Sequence, residues 1–137
     1  MEVNFFVPGK PQGKGRPRFS RASGTVYTPQ KTTDYENLVR ECYILAGGRK
    51  FDTPVKAYMK FLFEIPKSWS KAKRKEVLAG KIKPGKPDLD NEMKIIMDGL
   101  NGVAYKDDSQ VYWGCIEKAF ILDDSEPGVL VTLVGEI

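Results

Sequence analysis

Apolar and polar residues alternate so regularly along one stretch of the chain that it predicts a half-buried β-strand. In residues 55–65 every second position is apolar, and Pro66 ends the pattern. The apolar positions are Val55, Ala57, Met59, Phe61, Phe63 and Ile65. Three other runs, 3–7, 109–122 and 128–134, are rich in β-branched and aromatic residues and predict further strands. The polar sequence DDSEPG separates the last two, which predicts a β-hairpin with a long turn.

Helical spacing of apolar residues predicts three helices among these strands. The first, 32–48, has Thr33 or Asp34 as its N-cap, and its apolar stripe is Leu38, Cys42 and Leu45. A short basic helix occupies 70–80. The third helix, 88–101, stops at an Asn-Gly pair, and its apolar stripe is Leu89, Met93, Ile96 and Leu100. The order β, α, β, α, α, β, β predicts an α+β fold, with helices packed on one mixed or antiparallel sheet.

Composition narrows the class of protein. The chain has 137 residues, 41% of them hydrophobic and 29% charged, which suits one globular domain spanning 1–137. It has neither a membrane-length apolar run nor a signal-peptide pattern at its start, so we expect a cytoplasmic protein that does not enter the membrane. Cys42 and Cys115 are far apart in sequence. With no histidine in the chain, imidazole catalysis and histidine-ligated metals are excluded.

Charge is distributed unevenly along the chain. Residues 1–87 contain 19 Lys and Arg against 7 acidic residues, whereas residues 88–137 contain 3 against 11. A Gly- and Pro-rich segment, 8–31, has no acidic residue, so we expect an irregular basic loop that contacts the phosphates of a nucleic acid. Its cations are Lys10, Lys14, Arg16, Arg18, Arg21 and Lys31. The basic run 67–86 is equally consistent with a second DNA-binding face and with a solvated helix.

Carboxylates are concentrated in 87–110, around Lys94. One interpretation is structural: Asp88 or Asp90 caps the helix and Asp107–Asp108 form a polar turn. The other is a metal site, because hard divalent cations such as Mg²⁺ prefer carboxylate oxygens. The pair Asp88 and Asp90 enters the helix together, and Asp107–Asp108 precede a strand that returns toward it.

The same stretch resembles the RusA family of Holliday junction resolvases. The sequence DLDNEMK, residues 88–94, matches an Asp-x-Asp-Asn-x-x-Lys motif that opens a helix, and DGLNGVAYKDDSQV, residues 98–111, matches the turn and the Asp-Asp-x-Gln-Val segment that follow. The resemblance implies a RusA-like fold and a homodimeric, Mg²⁺-dependent endonuclease, with Mn²⁺ as a substitute ion. Such enzymes cut four-way DNA junctions by paired symmetrical nicks in recombination and repair, and are often encoded by phages and prophages.

Carried over residue by residue, the resemblance implies metal-binding catalytic aspartates at Asp88, Asp90 and Asp108, and a catalytic lysine at Lys94. It implies supporting positions at Asn91, Asp98 and Asp107. Two alternatives remain at this stage. One is a metal-dependent nuclease for flaps or single strands, and the other is a non-catalytic DNA-binding module whose carboxylates only shape a helix start and a turn.

Overall fold

The computed structural model describes residues 1–136, which form six strands and three helices. The strands are β1 (Glu2–Pro8), β2 (Arg18–Ser20), β3 (Thr25–Tyr27), β4 (Val55–Phe63), β5 (Val111–Phe120) and β6 (Gly128–Val134). The helices are α1 (Gln30–Leu45), α2 (Lys71–Leu78) and α3 (Leu89–Leu100), and a short 3-10 turn, Asp108–Gln110, precedes β5. The predicted α+β class is confirmed. In the described part of the chain no helix is both long and apolar enough to cross a membrane.

Four strands form one mixed sheet in the order β1-β6-β4-β5. The pairs β1–β6 and β6–β4 are antiparallel, and β4–β5 is parallel. Helices α1 and α3 pack together over the core. The predicted inward face of β4 is confirmed, because five alternating side chains are buried: Val55, Ala57, Met59, Phe61 and Phe63.

The predicted hairpin between the last two strands is wrong. Strand β6 lies between β1 and β4, and β5 pairs only with β4 at the sheet edge. The reason lies in the burial of the two strands. Four of the seven residues of β6 are buried, which suits a strand paired on both sides, whereas no residue of β5 is fully buried. The long connection before β6 therefore passes across β4 instead of closing a tight turn.

Both core helices are rotated relative to the predicted stripes. Helix α1 begins at Gln30, with Pro29 rather than Thr33 or Asp34 at the N-cap. It buries Thr32, Tyr35, Val39 and Tyr43. In α3 the buried positions are Glu92, Ile95, Ile96, Gly99 and Leu100. The rotation has a chemical consequence, because it turns one carboxylate of the acidic stretch into the core side of α3.

The basic loop is more ordered than predicted. Strands β2 and β3 pair antiparallel as a small hairpin, with Phe19 opposite Val26. Gly24 supplies the turn with a positive φ of 68°, a conformation that glycine adopts without a steric penalty. The remainder of the loop lies against the start of α3, since a Cβ on Gly13 would come within 2.8 Å of the Pro87 Cβ atom. The fold thus holds basic and acidic segments next to each other.

Candidate active site

Asp88 occupies the N-cap position of α3, but its side chain does not cap the helix. Its backbone is extended, and its carboxylate instead forms an ion pair with Lys86, Oδ1 to Nζ 2.8 Å. The hydrogen bond from Lys86, together with the lysine charge, lowers the pKa of Asp88. The carboxylate is therefore charged and exposed at the point where the chain enters the helix. The capping explanation for Asp88 does not describe this geometry.

Asp90 and Lys94 lie one turn apart on the exposed side of α3. Among residues 1–136 neither side chain has an ion-pair partner within 4.0 Å. Asn91, the next residue of the motif, is half-buried, and its carbonyl oxygen accepts a hydrogen bond of 3.0 Å from the Lys14 amide. The exposed motif side chains are thus presented to solvent by a helix turn that the basic loop braces from behind.

Asp108 returns to the middle of α3, as the chain order predicts. Its pKa is raised, first by partial burial and then by the charges of Asp107 and Asp98, while Lys94 opposes the shift. Asp107 has a different role: its carboxylate accepts a hydrogen bond of 3.2 Å from the Ser109 amide and caps the 3-10 turn. For Asp107 the structural interpretation is sufficient.

Lys14 connects the basic loop to both core helices. Its ammonium lies 2.7 Å from Glu36 Oε2 on α1 and 2.9 Å from Asp98 Oδ2 on α3. Burial lowers the pKa of Lys14, but the bonds and charges of Glu36 and Asp98 outweigh that effect and raise it. The structure therefore places Lys14 and Asp98 in a bridge between secondary-structure elements. Of the six predicted phosphate-binding cations, Lys14 is the one directed inward.

The other loop cations surround a cleft of about 610 Å³. Four of them line it: Lys10, Arg16, Arg18 and Lys31. Arg21 is exposed on the β2–β3 connection and is not among the lining residues. The cleft also includes Lys86 and Pro87, the two residues that precede Asp88. Its basic wall consequently ends beside the first carboxylate of the motif.

Glu92 and Lys118 belong to this site, although sequence reasoning assigned them no role in it. Glu92 is fully buried, and neither carboxylate oxygen has a hydrogen-bond partner in residues 1–136. The Lys118 ammonium, at the far end of β5, donates to the carbonyl oxygens of Gly85 and Pro87, the latter at 3.0 Å. Its charge acts on both Asp88 and Glu92. One signal was available, because Lys118 is one of only three cations after residue 87.

The acidic residues do not converge on a single point. Within residues 1–136 no three Asp, Glu or Cys side chains are grouped closely enough to hold one metal ion. The contacts divide them instead into a group at the start of α3, Asp88 with Glu92, and a group further along, Asp98 with Asp108. Mutual repulsion of like charges opposes their closer approach.

Stability of the metal-free protein should fall as pH rises, because of Glu92. Burial, with a smaller contribution from Asp88, raises its pKa to about 7 from an ordinary value of 4.5. Between these values the folded state retains a proton that the unfolded state releases, so the contribution favours folding at low pH and is lost as pH rises through about 7. One proton corresponds to at most about 1.4 kcal/mol per pH unit. Denaturant titrations of wild type and Glu92→Gln from pH 5 to 8 should give a flatter pH dependence in the variant, and equal slopes would contradict the assignment.

Comparison with known proteins places these residues in a wider context. The family model described as Endodeoxyribonuclease RusA matches residues 8–134. YqaN of Bacillus subtilis (strain 168), an uncharacterized protein, is 37% identical over 118 residues, which cover 80% of this chain and 81% of YqaN. Both matches extend far beyond the acidic motif, so they cover the basic loop, the sheet and the helices as well.

Proposed function

Because this chain belongs to the RusA family of endodeoxyribonucleases, we propose that it resolves four-way (Holliday) DNA junctions by paired symmetrical nicks. The observation that best supports the proposal is the continuity between the basic cleft and the carboxylates. The cleft ends at Lys86 and Pro87, so a DNA strand whose phosphates follow it is delivered to Asp88. Such an enzyme would act in the cytoplasm during DNA recombination and repair.

The proposed cofactor is Mg²⁺, with Mn²⁺ as a substitute, held by Asp88, Asp90 and Asp108. The donors fit in their chemistry: they are carboxylate oxygens, which hard cations prefer, and Asp88 and Asp90 are exposed beside the cleft. The two buried oxygens of Glu92 also lack a partner among the described residues. When bound, the ion supplies a Lewis acid that activates a water and offsets charge on the leaving oxygen. It also reverses the repulsion between carboxylates and phosphate.

The chain's own residues bind and orient the substrate in this proposal. Arg16 and Arg18 neutralise backbone phosphates along the cleft. Lys94 places a positive charge beside Asp108, where it stabilises charge that develops on the scissile phosphate. Lys118 holds the two carbonyls that precede Asp88 and so fixes the entry into α3.

A cleavage assay tests this function directly. A labelled four-way junction is incubated with the protein in Mg²⁺, in Mn²⁺ and in chelator, beside linear duplex, flap and single-stranded controls. We expect paired nicks in the junction only when metal is present. Preferential cutting of flaps or single strands would identify a nuclease of another specificity. Binding to junctions without cutting in either metal would identify a DNA-binding module.

Junction affinity should depend steeply on salt through the cleft cations. Log affinity is expected to fall with log salt with a slope of roughly −0.9 for each phosphate neutralised. The double variant Arg16→Gln/Arg18→Gln should bind more weakly and reduce the magnitude of that slope by up to about 1.8, whatever the junction sequence. Arg40→Gln is the matched control, because Arg40 lies on α1 and donates to Asn37 at 2.8 Å. A double variant with the wild-type slope would assign DNA binding to another surface.

The protein should also be a dimer at working concentrations. Paired nicks need two active sites, and a two-fold symmetric dimer matches the near two-fold symmetry of a junction. Sedimentation velocity should give a dimeric mass in protein that resolves junctions. A monomeric mass in a preparation that still nicks both strands symmetrically would contradict this part of the proposal.

A further inference from the structure

Glu92 is a carboxylate whose position the fold alone does not explain. It is 0% exposed, and both of its oxygens lack hydrogen-bond partners in the described chain. Glutamate is rarely fully buried unless it is paired, since removing a charge from water is costly. Each neighbour on the same side of α3, including Ile95 and Ile96, is apolar or small. A buried stripe of this kind is ordinarily completed by an aliphatic side chain.

Two nearby polar groups fail to satisfy it. The Tyr35 hydroxyl is also buried, and it makes no hydrogen bond to Glu92. The Lys118 ammonium lies close enough for its charge to act on Glu92, but its hydrogen bonds go to the carbonyls of Gly85 and Pro87. Glu92 therefore has both oxygens available for a further positive partner.

The location of that partner is restricted by Asp88. Glu92 follows Asp88 by one helical turn, with its amide donating to the Asp88 carbonyl at 3.1 Å. The two carboxylates are close enough to repel each other. A cation between such groups replaces their repulsion with attraction to a shared charge. A divalent ion also takes several carboxylate oxygens, directly or through its bound waters.

We infer that Glu92 is a further ligand of the divalent cation at the start of α3, binding it directly or through a metal-bound water on the buried side of Asp88. The inference rests on the proposed function for the cation itself. It adds a fourth carboxylate to the three aspartates of the motif. It also accounts for a charged residue in the buried stripe of a helix that would pack better without one.

Calorimetric titration of the metal-free, full-length protein with Mn²⁺ and with Mg²⁺ tests this inference without an activity assay. Glu92→Gln keeps the size of the side chain and removes its charge, and should weaken Mn²⁺ binding about 10- to 100-fold. Glu117→Gln is the matched control, because Glu117 is an exposed glutamate that pairs with Lys60 at 3.6 Å on the sheet. It should bind Mn²⁺ like wild type.

A second variant keeps the test decisive if Glu92→Gln folds poorly. Glu92→Met places an apolar chain of similar length in the buried stripe, so it should unfold at a higher temperature than metal-free wild type, and Mn²⁺ should raise that temperature less than it does in wild type. Wild-type metal affinity in a folded Glu92 variant, beside weakened affinity in Asp90→Asn, would overturn the role of Glu92 and leave the proposed function standing. Absence of metal binding to wild type, with junction cleavage in chelator, would overturn the metal site as a whole.

Discussion

Asp90→Asn is expected to abolish junction cleavage while junction binding persists. The substitution keeps the shape of the side chain but removes a negative charge and a strong oxygen ligand from the exposed first turn of α3. Cleavage in Mg²⁺ should fall at least about a hundredfold, the scale of loss when one stabilising group is removed from an active site. Binding in chelator should match or exceed wild type, because a carboxylate that faces phosphate is gone. Single-turnover cleavage and gel-shift titrations on one labelled junction measure both quantities.

The same variant separates the catalytic and structural interpretations of the carboxylates. Asparagine is as good a helix N-cap as aspartate, so a purely structural role predicts near-normal cleavage. Metal-free stability should hold or rise in the variant, because one member of a group of like charges has been neutralised. Asp123→Asn provides the control, since Asp123 lies in the turn before β6 and accepts a hydrogen bond of 2.8 Å from the Ser125 amide. Near-normal junction cleavage by Asp90→Asn would return the acidic stretch to a structural role.

Local patterns along the chain predicted the elements but not how they pair. The alternation in 55–65 sufficed for β4, because a strand with one buried face carries its own signal in every second residue. The partner of β6 carries no such signal. Strand pairing is decided by burial across the sheet, and seven residues between two strands look like a long turn whether or not a third strand lies between them. The small β2–β3 hairpin was missed because its three-residue strands are too short for an alternating pattern.

The site was predicted as far as a contiguous motif reaches. Asp88, Asp90 and Lys94 lie within seven residues, and the fold exposes all three at the start of α3. The partners supplied by distant segments were not predictable in the same way. Lys118 reaches the site only because β5 runs parallel to β4, and Glu92 becomes buried only because the helix is rotated from its predicted stripe. A charged residue within an otherwise apolar helical face is the signal that a second examination of the spacing would have found.

Lys94→Met is expected to reduce cleavage strongly with little change in junction affinity. Lys94 lies one turn after Asp90 and one turn before Asp98, and its charge acts on Asp108. It is thus the cation within the carboxylate group, in a position to balance charge on a phosphate that is being cleaved. A preorganised charge of this kind is worth about a hundredfold in rate. Since it accounts for at most one phosphate contact, the salt slope should change by no more than about 0.9.

Comparison with two other lysine variants determines whether the effect of Lys94→Met is catalytic. Lys60→Met removes a lysine that pairs with Glu117 on the sheet, and it should cleave like wild type. Lys94→Arg keeps the charge but replaces a compact ammonium with a planar guanidinium, so it should retain more activity than Lys94→Met and less than wild type. A lysine that only bound DNA would give the opposite pattern, with affinity lost at every salt concentration and cleavage restored once the junction is saturated with protein. Single-turnover rates at saturating protein distinguish the two, because at saturation only a defect in the chemical step still lowers the rate.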